Sequence, residues 1–210
     1  MKIEKLREPI WPAFVAMLAD ALIHFALPQR LSVGPRWLVF AVILVLLVPI
    51  VFTHRVGRHD ITKILTFVAL GVITLALIGS LGLLIQGLPG QKDPPTLLLL
   101  SAAELWLTNV LVFGLWYWKL DAGGPLGRQS PGAKSGFLFP QMLAQQKDAA
   151  SWSPIFLDYL FLAFNTSTAF SPTDTAVLSR WAKMMMMLQS LISLSIIALL
   201  AARAINGLSS

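Results

Sequence analysis

Five apolar stretches alternate with short polar connections along this chain: Ile10 to Leu27, Trp37 to Phe52, Ile64 to Leu84, Thr96 to Trp118 and Val177 to Arg203. A spanning helix needs ~20 mostly apolar residues, so each predicts a transmembrane helix. The punctuation agrees. Asp60-Ile61-Thr62 opens the third stretch with a capping acid, and Gly87-Leu88-Pro89-Gly90 closes it. Asp93-Pro94-Pro95 starts the fourth, which ends on Trp116-Tyr117-Trp118-Lys119, an interfacial aromatic anchor followed by a base. The first stretch is interrupted only by Asp20 and His24. Its length, its internal charge and its lack of a small-x-small cleavage site predict a retained helix rather than a removed signal.

Between the fourth and fifth stretches the pattern changes. Leu120 to Ser153 is rich in Gly, Pro, Gln, Ser and Lys, with Phe137-Leu138-Phe139 as an apolar island. Pro154 to Thr168 is then apolar and aromatic but only fifteen residues long, too short to span and suited to a re-entrant helix. Ser153 and Pro154 fit its N-cap and first turn. A hydroxyl-rich segment, Asn165 to Asp174, leads into the last stretch. Irregular backbone at membrane depth is tolerated only where protein buries it or where it lines a water-filled cavity, which makes this segment a candidate ion path.

In this order of elements the chain resembles the pore domain of the potassium-channel superfamily, whose filter reads T-x-T-T-V-G-Y-G-D. The matching segment is Thr166-Ser167-Thr168-Ala169-Phe170-Ser171-Pro172-Thr173-Asp174, with both early threonines and the closing Asp in register. The resemblance covers roughly Thr96 to Arg203. It implies a homotetrameric, all-α integral membrane protein with about five transmembrane helices and one re-entrant pore helix. Residues 1–90 would form a three-helix peripheral domain. Residues 91–210 would form the pore domain: outer helix 96–118, turret 119–153, pore helix 154–168, filter-like loop 169–174 and inner helix 177–205.

The departures matter as much as the match. Potassium filters use two glycines to aim successive carbonyls at the ion; here Ser171 and Thr173 stand at those positions and Pro172 at the aromatic one. Proline fixes its own φ and extends the residue before it. A conventional potassium-selective ladder is therefore not expected. What remains is a set of hydroxyls from Thr166, Thr168, Ser171 and Thr173 with Phe170 as a hydrophobic constriction, passing small monovalent ions with anion-favouring or weak selectivity. A plainer reading stands beside it: Ser171-Pro172-Thr173-Asp174 is also an ordinary helix-start box. If that cap faced a central axis, helix N-termini would suit anions, whereas a ring of Asp174 would attract cations.

Composition and charge add topology. The chain has 210 residues, 56% hydrophobic and 12% charged, against about 25% charged in soluble domains. It has no cysteine, which excludes disulfides, thiol catalysis and thiolate metal sites. Five spans place twelve of the sixteen Lys and Arg on the N-terminal side and four on the other, so the positive-inside rule predicts a multi-pass cell-membrane protein with a cytoplasmic N-terminus. Four spans before the turret then put the pore loop on the cytoplasmic face, inverted relative to potassium channels.

Intramembrane ionisable residues are functional hypotheses by default. Asp20 and His24, at i and i+4, can pair, respond to pH or bind a cation, or serve as a polar clamp. Glu104 and Asn109 can contact the inner helix or the half-length helix, and Asp158 complements that helix's N-terminal dipole. Ser190 and Ser193 are candidates for an inner cavity. His54 and His59, flanking Arg55 and Arg58, suit lipid head groups. No metal-ligand spacing, cofactor motif, phosphate loop or nucleophile–base pair is apparent, so an enzyme is disfavoured, as is a nucleic-acid partner. A transporter lacks visible repeat halves. The expected partners are permeant ions, membrane lipids and further copies of the chain. The alternative from another class is a non-conducting membrane scaffold or lipid-binding subunit.

Overall fold

The computed structural model describes residues 11–87, 95–128, 130, 132–143, 152–171 and 174–208. Eight α-helices occur among them: α1 (Trp11–Ala26), α2 (Arg36–Arg55), α3 (His59–Gln86), α4 (Pro95–Leu120), α5 (Gly124–Gly127), α6 (Pro140–Leu143), α7 (Phe156–Thr168) and α8 (Arg180–Leu208). A two-residue strand β1 (Phe137–Leu138) pairs antiparallel with β2 (Ala176–Val177). Helices α2, α3, α4 and α8 are long and apolar enough to cross a membrane. The remaining expected span, α1, has 16 residues, about 24 Å at 1.5 Å per residue.

The helices run alternately between two ends of one bundle. Phe14 and Met17 of α1, His54 and His59 at the α2–α3 connection, and Trp118 and Lys119 of α4 line a common cavity at one end. Towards the other end, Val33 occupies the space where Gly79 of α3 lacks a β-carbon. Helix α4 is the hub, packed on α1, α3, α7 and α8, with Leu105, Val112, Phe113, Leu115 and Tyr117 fully buried. Peripheral α2 instead turns Val45, Val48 and Phe52 outward, each about 70% exposed. Apolar side chains in that number on the outside of several long helices are those of a membrane-embedded protein.

Three boundaries differ from the sequence reading, and each has a local cause. The inner helix begins at Arg180, not Val177, because Ala176 and Val177 extend to pair with the turret. Ser179 is its cap, the hydroxyl accepting the Ala182 N–H at 3.3 Å. The helix-start box proposed at Ser171 to Asp174 therefore starts no helix; Asp174 lies in an exposed turn, and Pro172 and Thr173 lie outside the described residues. The half-length helix begins at Phe156 rather than Pro154: Asp158 reaches back to accept the Ile155 N–H at 2.7 Å. Asp60, expected to cap α3, sits in its first turn, with Arg58 at the cap position.

The antiparallel seat of α7 on α4 is set by Gly114, whose missing β-carbon leaves room for the Leu160 backbone; an added one would lie 3.2 Å from Leu160 Cα. Gly114→Leu should cost about 1–3 kcal/mol through overpacking, read as a lowered unfolding midpoint in detergent. An unchanged midpoint would show that the α4–α7 seam is not close-packed.

Candidate functional site

Helix α7 descends from the cavity end of the bundle to its middle. Phe156 meets Trp118 edge to face at 6.1 Å, Leu160 abuts Gly114, and Ser167 accepts from Asn109 Nδ2 at 3.4 Å. These three contacts fall in one antiparallel register. From Tyr159 to Ser167 the descent is eight residues, about 12 Å of helix. The chain then turns and climbs back to β2, whose partner residue Phe137 packs against Tyr159. Segment 169–176 is long enough for the return, since eight extended residues reach roughly 26 Å. Phe156 and Val177, the two ends of the re-entrant stretch, therefore lie at the same end of the bundle.

Two buried polar clusters hold the stem. At its foot, the Gln189 amide donates to the Ala163 carbonyl and to Ser167 Oγ, each at 2.8 Å. Its Oε1 accepts from the Tyr117 hydroxyl. Asn109 Nδ2 donates to Ser193 Oγ at 2.9 Å and to the Gln189 carbonyl at 3.2 Å. These groups join α4, α7 and α8 through side chains that are fully buried. At its head, the Asp121 carboxylate accepts from Tyr159, from the Gly136 N–H and from Ser135 Oγ at 2.7 and 2.9 Å. Arg128 stands 5.0 Å over the Tyr159 ring and donates to the Trp118 carbonyl at 2.8 Å. Burial pushes the Asp158 carboxyl above its ordinary pKa, and the bond from Ile155 opposes that shift.

The tip has no such clamp. Thr168, Ala169 and Phe170 are exposed, and Phe170 adopts φ +53°, a left-handed conformation costing a non-glycine residue roughly 1–2 kcal/mol. A groove of about 650 Å³ opens beside it, bounded by Thr166 and Phe170 on one side and by Lys183, Met187, Ser190 and Leu194 of α8 on the other.

The expected hydroxyl set thus divides. Thr166 lines the groove while its hydroxyl bonds the Leu162 carbonyl at 2.8 Å, Ser167 turns inward to Gln189, and Thr168 faces outward. Ser171 is half-buried, and Asp174 is exposed on the return. The paired cavity role of Ser190 and Ser193 is corrected: Ser190 lines the groove, but Ser193 is buried against Asn109. Asn109 reaches the inner and half-length helices as expected. Half-buried Glu104 leaves its Oε2 without a hydrogen-bond partner among the described residues.

Asp20 and His24 are both buried, yet neither carboxylate oxygen and neither ring nitrogen has a hydrogen-bond partner among the described residues. The expected Asp20–His24 pairing is therefore not formed. Thr108 approaches Asp20 without bonding geometry.

Gln189, Asp121 and Tyr159 went unremarked in the sequence reading, and Tyr117 was read there only as part of an interfacial aromatic anchor. A glutamine inside an apolar helix, four residues before Ser193, was the available signal for the lower cluster. No protein-family profile, curated protein or solved structure matches this chain.

Gln189→Leu removes both amide bonds and leaves the buried Tyr117 hydroxyl without its acceptor. A loss of about 1–3 kcal/mol is expected in denaturant unfolding of the detergent-solubilised protein. Ser190→Ala, in the open groove, should change stability by no more than about 0.5 kcal/mol. Equal effects of the two would break the distinction between stem and groove.

Proposed function

We propose that this chain is the subunit of a pore-loop ion channel, a homotetramer in which α7 and loop 169–174 enter and leave the membrane from one face and α8 lines the conduit. The observation that carries the reading is the half-length helix wedged between an outer and an inner helix, held at both ends, with β2 back at its own starting side. The outward faces of α7 and α8 support assembly: Phe161 and Phe164 of α7 are exposed, as are Met187, Leu191 and Leu194 of α8, which line the groove. With further copies around an axis, Phe170 would form an apolar ring that closes by dewetting.

Selectivity is weak in this reading, and its sign follows from the ends of helices. The N-terminus of α8, which would have favoured anions, starts at Arg180, beyond β2 and away from the loop tip. The C-terminus of α7 lies beside the groove instead, and a carbonyl end favours cations. Asp174 acts in the same sense and Lys183 against it.

The described basic residues Arg55, Arg58, Lys63, Lys119, Arg128, Lys134, Arg180 and Lys183 lie at the end from which α7 enters, and Arg30 and Arg36 lie at the other. The positive-inside rule makes that first end cytoplasmic, giving a cell-membrane protein with its N-terminus and pore loop inside.

Two experiments test these statements. In reconstituted liposomes, Phe170→Ala should raise ion flux, Asp174→Asn should move the reversal potential towards anions and Lys183→Gln towards cations. Flux equal to that of empty liposomes in every variant, or a monomer by native mass measurement, would favour the non-conducting scaffold. Because the chain has no cysteine, Ser130→Cys provides a single thiol in the turret. An impermeant maleimide should label it only after cells are permeabilised, and labelling of intact cells would overturn the inverted orientation.

A further inference from the structure

The cavity at the basic end of the bundle lies apart from the α7 groove and has its own chemistry. It measures about 190 Å³. Phe14 and Met17 of α1 with Trp118 and Leu126 make its apolar wall, and Lys63, Lys119, His54 and His59 make its basic side. Asp60 is the one carboxylate among the described lining residues. Half-buried Lys119 has Lys63 and Arg128 as its charged neighbours, all three of one sign. Arg128 is held in place by the Trp118 and Asp121 carbonyls at 2.8 and 3.3 Å, so it adds positive potential from behind without entering the cavity. The first turn of the 28-residue helix α3 also lines the space, and the N-terminal end of a helix dipole favours an anion.

Two lysines and a helix N-terminus against one carboxylate make a cavity that is short of negative charge. The apolar wall specifies the anion further. A free inorganic ion gains nothing from Phe14, Met17, Trp118 and Leu126, whereas the glycerol and first methylenes of a lipid do. Trp118 and the lysines are residue types that settle at the head-group level.

We propose that this cavity binds the head group of an anionic phospholipid, its phosphate held between Lys63 and Lys119 and its glycerol end against the apolar wall of Phe14, Met17, Trp118 and Leu126. The site is separate from the pore loop and does not depend on whether that loop conducts. Basic recesses between helices on the positively charged side of a membrane protein are a recurring form of lipid recognition.

The test uses the full chain in nanodiscs of phosphatidylcholine alone or mixed with phosphatidylglycerol. Native mass spectrometry reads retained lipid, and thermal unfolding reads stabilisation. The wild-type chain should retain phosphatidylglycerol and unfold at higher temperature with it. Lys63→Gln/Lys119→Gln should retain it about 30-fold less, on the usual contribution of two basic residues at an anionic surface. Leu126→Trp, which fills the cavity and keeps every charge, should lose retention as well. Arg55→Gln/Arg58→Gln removes equal charge from the same end outside the cavity and should leave retention intact. Unfolding in phosphatidylcholine alone checks that each variant folds. Retention by the lysine or Leu126→Trp variants at the wild-type level, or an equal loss in the Arg55/Arg58 control, overturns the proposal. Stabilisation by millimolar inorganic phosphate without lipid overturns it too, in favour of a free-anion site.

Discussion

The side chain of Gln189 sets the geometry of the half-length helix. Its amide reaches from α8 to the Ala163 carbonyl and the Ser167 hydroxyl while its oxygen receives Tyr117 from α4. In an apolar bundle each of these groups would cost on the order of 1–3 kcal/mol if left alone, so the three helices are fixed in relative height as well as in contact. Ridge packing alone tolerates sliding by a turn. A glutamine with both ends engaged does not, because a 5.4 Å shift breaks every bond at once. The position of the loop tip follows from this, since Thr168 is the residue after Ser167.

The end from which α7 enters is organised by a different device. Asp121 closes α4, and its carboxylate gathers Tyr159, Ser135 and the Gly136 backbone. The turret, which reads as a flexible polar connection, is thereby drawn onto the bundle, and Phe137 packs among Tyr117, Tyr159 and Trp181. Strand β1 is the rim of that aromatic cluster. Its pairing with β2 decides where α8 starts, which is why a helix boundary legible from composition was displaced by three residues.

Helix type and order were legible because they rest on local signals: apolar runs of sufficient length, prolines before α4 and α7, and a lone half-length run. The position of Gly114 and the inward turn of Ser167 were not, since both depend on a neighbour about fifty residues distant. The same limit explains the filter segment. Thr166, Ser167 and Thr168 are alike in composition, but successive residues on a helix point about 100° apart, so one faces the groove, one the core and one the outside. Asp20 and His24 illustrate the converse case. Their i, i+4 spacing is correct for a pair, yet both are buried and neither bonds the other among the described residues.

A clamped stem with an unclamped tip has mechanical consequences for the proposed conduit. Local opening draws on segments with few buried contacts and few internal hydrogen bonds. Along 156–177 the buried contacts of the stem are at Phe156, Tyr159, Leu162, Ala163, Thr166 and Ser167, and the exposed run is Thr168 to Phe170. Rearrangement at the tip therefore leaves Gln189 and Asp121 undisturbed. Phe170 is suited to such a change because its left-handed backbone is already strained; relaxing to an ordinary φ would release roughly 1–2 kcal/mol and swing the ring relative to the α8 wall. An energy of that size is small beside the clusters that hold the stem. In the proposed conduit, a change confined to the tip would leave the fold around it the same.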